Sequence, residues 1–110
     1  MRRGEIYLAD LGTPVGHEQS LVRPVVIISA QQWLDANPPV VTVLPVTRTV
    51  RGATTHVEIE PGRSGLKQTS YAKCEDIRAI SPLRLGRRFG TADDVVVGRI
   101  DAIVRRLLGL

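Results

Sequence analysis

The chain has 110 residues, 43% of them hydrophobic and 24% charged, with a formal net charge of +4. That length predicts a single domain over residues 1–110, because a second core would have too little chain left to bury, and the composition excludes a disordered polymer. The longest apolar runs, Val25 to Ile28 and Val40 to Leu44, fall far short of the roughly 20 residues a bilayer span needs, so neither a membrane helix nor an export signal is expected.

Glu5 to Asp10 has the pattern of a first strand. Leu11 to Leu21 follows as a connection carrying Gly12, Pro14 and Gly16, with His17, Glu18 and Gln19 at its far end. A loop of that length in a compact domain is usually functional or mobile, which makes it a first place to look for a site. Val25 to Ile28 is a continuous apolar run, predicted as a strand buried on both faces. Gln31 to Asp35 makes one helical turn before Asn37, Pro38 and Pro39 break it, and Val40 to Val46 is a second buried strand. Thr47 to Thr54 is a polar, basic connection. His56 to Glu60 alternates, with Val57 and Ile59 on one face, as a half-exposed strand does. After a turn at Pro61, Gly62 and Gly65, strand pieces are expected over Thr69 to Cys74 and Ile77 to Ile80, kinked at Glu75 and Asp76, and a short strand over Arg87 to Phe89. Val96, Ile100, Ile103, Val104 and Leu107 recur at helical spacing, with Thr91 and Asp94 as a capping box and Gly109 as the stop. The pattern predicts a mostly β, α+β chain: a small antiparallel barrel with helical additions and a C-terminal amphipathic helix.

Cys74 is the only cysteine, which excludes an internal disulfide and predicts a reducing, cytoplasmic compartment. With only His17 and His56 and no helix-spaced set of ligands, neither a metal nor any other cofactor is expected. The positive charge comes from thirteen arginines against two lysines. That excess suits an anionic partner, since guanidinium grips phosphate and stacks on bases; a GC-rich genome gives the same bias. Asp93 and Asp94 belong to the helix start and Arg105 and Arg106 to its end, where each complements the helix dipole.

The common acyl-transfer and nucleotide-cofactor motifs are absent. RNA, however, supplies its own nucleophile, the 2′-hydroxyl, so a protein that cuts it needs only to orient the backbone, stabilise the phosphorus centre and assist proton transfer. Arg23 precedes Pro24 at the mouth of one buried strand, and Thr47 follows Pro45 and Val46 at the end of another, handing over to Arg48. If the strands are neighbours, guanidinium and hydroxyl meet on one rim, with Glu18 and Gln19 overhanging. A solvated strand entry and an ordinary strand threonine account for the same two residues.

Arg3-Gly4-Glu5-Ile6-Tyr7-Leu8-Ala9-Asp10-Leu11, then Gly16-His17-Glu18-Gln19, then Arg23-Pro24-Val25-Val26-Ile27-Ile28-Ser29 resembles the opening of the MazF/PemK family of toxin endoribonucleases. The resemblance continues through Val43-Leu44-Pro45-Val46-Thr47 and Ser70-Tyr71-Ala72-Lys73-Cys74-Glu75-Asp76-Ile77-Arg78-Ala79-Ile80, and so spans almost the whole chain. It implies an SH3-like barrel of the MazF/PemK/CcdB kind, a homodimer, metal-independent cleavage of single-stranded RNA, and neutralisation by a cognate antitoxin. It also implies that Arg23 and Thr47 are the catalytic pair, that Glu18 contributes to activity, and that Ser70 lies near the substrate. His17 stands where the family commonly has a small residue. That places a titratable group beside Glu18, and either is a candidate base, because an arginine is essentially never deprotonated. Arg23 is therefore assigned to transition-state stabilisation and to donating to the leaving group. His17, Gln19, Arg48, Ser70 and Tyr71 complete the expected substrate contacts. With aromatics at only 4%, Tyr71 or arginine side chains must provide the stacking surfaces for bases. Two other classes fit a barrel of this kind: a toxin that binds and inhibits DNA gyrase without catalysis, and an oligomerisation or adaptor module.

Overall fold

The computed structural model describes residues 1–12 and 21–110 of the chain. Among the described residues, seven strands form one antiparallel sheet: β1 (Glu5–Asp10), β2 (Val22–Ile27), β3 (Val41–Thr47), β4 (His56–Ile59), β5 (Ser70–Lys73), β6 (Arg78–Ile80) and β7 (Leu85–Thr91). Helix α1 (Gln31–Asp35) follows β2, and helix α2 (Asp94–Leu108) comes after β7. No described helix is long and apolar enough to cross a membrane.

The sheet runs β4-β5-β3-β2-β1-β7, with β6 paired to the far end of β3. The kink expected at Glu75 and Asp76 is a 3-10 turn over Cys74–Asp76, which splits one edge of β3 between β5 and β6. Val25, Val26, Ile27, Val43 and Leu44 are fully buried, as continuous apolar runs demand when both faces of a strand are covered. On one face Ile6, Val26, Leu44, Val57, Ile59 and Ala72 pack with Val96 and Ile100 of α2. On the other, Ala9, Val25, Ile27, Val41 and Val43 pack against Leu34 of α1. The sheet curls into the expected barrel-like form without a closing strand ladder between its two described ends. Closure comes from the β4–β5 connection instead, where the Thr91 amide donates to the Arg63 carbonyl at 2.8 Å.

Two features of the ends differ from the expected pattern. Asp93, not a Thr91–Asp94 box, caps α2: its carboxylate accepts from the Val96 amide at 2.9 Å, because Thr91 is still paired in β7. Leu107 keeps the helical spacing but is 44% exposed, since α2 runs past the sheet in its last turn. Gly109 ends the helix in the left-handed conformation, as expected. Arg3 clamps α2 to the barrel through a two-point ion pair with Asp101, at 2.6 and 3.2 Å, while its Nε donates to the Ile28 carbonyl.

A second ionic clip holds β7 to β1. Glu5 is buried and pairs with Arg88, also accepting from the Arg2 amide and, at 3.2 Å, from the Tyr7 hydroxyl. Burial pushes the Glu5 carboxyl up, but these donors outweigh it and hold it below the ordinary carboxylate value.

Candidate active site

The end of β2 and the end of β3 come together by register. Ile27 faces Val43, Val26 faces Leu44 and Val25 faces Pro45, where the pairing ends; Arg23 and Thr47 lie two residues beyond it on their own strands. Both line a cleft of about 540 Å³. The juxtaposition expected from two strand ends is therefore present.

The hydroxyl of Thr47 is oriented locally. Its Oγ1 accepts from the Thr49 amide at 3.1 Å, in the turn by which the chain leaves β3. That bond uses one acceptor position of the oxygen and leaves the O–H free to donate to a ligand in the cleft. Arg48, next along, is exposed on the cleft wall. Arg23 is half-buried on β2, across from Ala9 of β1, with its Nε shielded from solvent.

Ser70 also lines the cleft, but is buried, and its hydroxyl donates to the Gln68 carbonyl at 2.9 Å. Its first structural effect is to fix the connection that roofs the cleft. Tyr71, the next residue of β5, is cross-strand from Thr47 and Glu58 and is not part of the cleft wall. The remaining expected site residues, His17, Glu18 and Gln19, lie outside the described residues.

The far wall of the cleft goes beyond what the sequence pattern predicts. It consists of Gly65, Leu66, Lys67 and Gln68 from the β4–β5 connection and Arg87 and Phe89 from β7. The Arg87 guanidinium carbon stands 4.5 Å from the centroid of the Phe89 ring, a cation–π contact. The signal in the sequence is the chain's single phenylalanine, lying two residues after an arginine in a predicted strand. The cleft rim thus carries Arg23, Arg48, Lys67 and Arg87, and among the described residues no Asp or Glu lines it. Such a surface attracts a polyanion and, through the arginines, grips phosphate oxygens in pairs.

The other histidine has a structural place away from the cleft. His56 Nε2 lies 3.0 Å from Glu75, whose other oxygen accepts from Thr55 at 2.9 Å, tying β4 to the 3-10 turn. Burial raises Glu75, but its backbone bond and the His56 and Thr55 contacts outweigh that and hold the carboxyl below its ordinary value. Burial, together with Glu75, pushes the Cys74 thiol up to about 11, which suits an inert core residue rather than a nucleophile. Among the described residues, no group of three or more His, Cys, Asp or Glu is placed to hold a metal ion.

Residues 2–108 match the family described as the PemK-like, MazF-like toxin of type II toxin-antitoxin systems. Endoribonuclease EndoA of Bacillus subtilis is 34% identical, covering all of this chain and 96% of its own length. Endoribonuclease MazF of Staphylococcus saprophyticus is 36% identical, covering all of this chain and 92% of its own. Among solved structures, the Mycobacterium tuberculosis toxin MazF-mt6 superposes with a TM-score of 0.79 at 27% identity, over 96% of this chain and 97% of that one. A mycobacterial endoribonuclease solved with its cognate antitoxin gives a TM-score of 0.80 at 25% identity, over 98% of this chain and 94% of that one. These relatives are named as endoribonucleases or MazF toxins, and none of them lends support to the gyrase-binding alternative.

Proposed function

The chain belongs to the PemK-like, MazF-like toxin family, and on that premise we propose that it is a metal-independent endoribonuclease that cuts single-stranded RNA at selected sequences. The observation that carries the reading is that Arg23 and Thr47 line one cleft, whose described lining holds further cations and no carboxylate. In the reaction, the 2′-oxygen of one nucleotide bonds to the adjacent phosphorus as the bond from phosphorus to the 5′-oxygen breaks. The products are a 2′,3′-cyclic phosphate and a free 5′-hydroxyl, so no water and no metal enter the balance. Arg23 stays protonated, neutralises the charge that gathers on the phosphoryl oxygens and hydrogen-bonds the departing 5′-oxygen, whose gained proton balances the one lost by the 2′-hydroxyl, while Thr47 holds a phosphoryl oxygen through its O–H. Glu18, the acid implied by family resemblance, takes the 2′-proton, with His17 its competitor for that role.

Arg48, Lys67 and Arg87 draw in the RNA backbone, and Gln19 and Ser70 complete the contacts to it, with Tyr71 beside Thr47 on the neighbouring strand. The substrate is messenger, transfer or ribosomal RNA in the cytoplasm, and its cleavage arrests translation and growth. A cognate antitoxin holds the toxin silent; the related mycobacterial endoribonuclease, solved in complex with its own cognate antitoxin, supports that partner. A homodimer completes the assembly, and exposed apolar side chains such as Leu83 and Leu110 give a second copy surface to cover.

The test is cleavage of a long unstructured RNA by purified protein in EDTA, with the product ends mapped. Wild type makes defined cuts, and Arg23→Ala loses about 10²–10³ in rate, the cost of removing one preorganised donor. Cleavage that needs an added divalent metal, or equal cleavage by both proteins, overturns the reading.

A further inference from the structure

The far wall of the cleft is built in a way that simple charge attraction does not require. The β1–β7 register slips twice: Ile6 and Tyr7 face Gly90 and Arg88, leaving Phe89 as an extra residue, and Tyr7 and Ala9 face Arg88 and Leu85, leaving a second extra residue at Gly86 or Arg87. Each slip is a β-bulge, which bends the strand and re-aims the side chains on it. Between the two, Arg88 turns to the buried Glu5 while Arg87 and Phe89 line the cleft. The guanidinium of Arg87 lies over the Phe89 ring, and Phe89 is itself half-buried against the main core. The ring therefore backs the guanidinium, while the Arg87 side chain is exposed and lines the cleft.

A cation that only had to attract phosphate would be better left on a flexible stem. A guanidinium backed by an aromatic ring, with the amide side chain of Gln68 lining the same wall of the cleft, fits a flat, neutral, π-faced ligand. Resting on the nuclease reading above, we propose that a nucleobase flanking the cleaved phosphodiester stacks on the open face of Arg87, making the Arg87–Phe89 pair a base platform. It supplies a specificity-determining contact on the wall opposite Arg23 and Thr47. The platform suits single-stranded RNA alone, because a base within a duplex has no free face.

The test uses short RNAs spanning a mapped cut, each with one abasic nucleotide, cleaved by wild type, Arg87→Ala and Arg87→Lys. Stacking of one base predicts that a single abasic position lowers wild-type kcat/KM on the order of 10- to 100-fold. Arg87→Ala loses a similar factor on intact RNA and nothing further on that abasic RNA. Arg87→Lys, which keeps the charge but not the plane, behaves as Arg87→Ala. A binding readout stands beside the kinetics: 2-aminopurine at that position, in an RNA blocked by a 2′-deoxy nucleotide at the cut, is quenched by wild type and not by Arg87→Lys. Recovery of activity and quenching in Arg87→Lys, or abasic and Arg87→Ala penalties that multiply, overturns the platform and leaves a phosphate contact. Wild type that cuts no RNA overturns the nuclease reading and the platform with it, whereas normal cutting with Arg87→Ala equal to wild type overturns the platform alone.

Discussion

Gly65→Ala tests how the far wall is attached to the barrel. Gly65 has a φ of +73°, and a Cβ built there would lie 1.9 Å from the Phe89 carbonyl oxygen and 2.5 Å from its carbonyl carbon. Gly62, three residues earlier in the same connection, has a φ of +105° with nothing within 4 Å of its Cβ. Both alanines bear the cost of a positive φ, roughly 1–2 kcal/mol. Only the first also forces two backbones apart by more than an ångström, breaking the Thr91–Arg63 hydrogen bond, a loss of about 1 kcal/mol. Gly65→Ala should therefore cost about 2–3 kcal/mol in urea unfolding and lower Tm on the order of 10 °C, with Gly62→Ala costing less. The displaced connection carries Lys67 and Gln68 with it, so Gly65→Ala should also weaken RNA cleavage when assayed well below its Tm, and Gly62→Ala should not. Equal stability of the two variants, with equal cleavage, would refute the argument that this contact closes the barrel and shapes the cleft.

Two further predictions concern titratable groups. The donors around Glu5 hold its folded carboxyl below the ordinary value of 4.5, so their contribution is fully present above that pH and is lost as pH falls through the folded value. Glu5→Gln should therefore cost about 2 kcal/mol at pH 7 and flatten the acid limb of a stability-against-pH curve; an acid limb as steep as that of wild type would show that Glu5 does not carry it. Cys74, fully buried with its thiol pushed up to about 11, should resist a thiol reagent at pH 8 in the native protein and react with one equivalent after unfolding. Native labelling at the unfolded rate would contradict the packing of the 3-10 turn.

Much of the fold follows from local pattern, and the exceptions share a cause. The unbroken runs around Val26 and Leu44 announce strands covered on both faces, and the helical recurrence of Val96, Ile100 and Ile103 announces α2. Strand β7 is longer than the Arg87–Phe89 piece because Gly86 and Gly90 dilute its pattern and two bulges break its period. The cap of α2 falls at Asp93 rather than at the expected box because β7 runs on to Thr91, a pairing with Glu5 that no local signal reports. The site divides in the same way. Arg23 and Thr47 are legible because each ends a recognisable strand, and neighbouring strands bring their ends together. Lys67, Gln68, Arg87 and Phe89 are joined by a chain crossing at Gly65, more than twenty residues from Phe89, where only tertiary packing selects the contact.

That division has a functional consequence. Val25, Val26, Ile27, Val43 and Leu44 of β2 and β3 are fully buried, so shifting one strand against the other would disrupt close packing on both faces and displace Arg23 and Thr47 with it. Their mutual placement is therefore as secure as the core itself, which is what a reaction dependent on preorganised donors requires. The β4–β5 connection is held to β7 by the Thr91–Arg63 backbone hydrogen bond and close packing at Gly65 and Gly90, and its Lys67 and Gln68 side chains are exposed. On the proposed reading, the chemistry sits on the wall that cannot move and the choice of RNA sequence on the wall that evolution can alter without unfolding the barrel. Substitutions at Lys67 and Gln68 should then redirect where the RNA is cut, while those at Arg23 and Thr47 should determine whether it is cut at all.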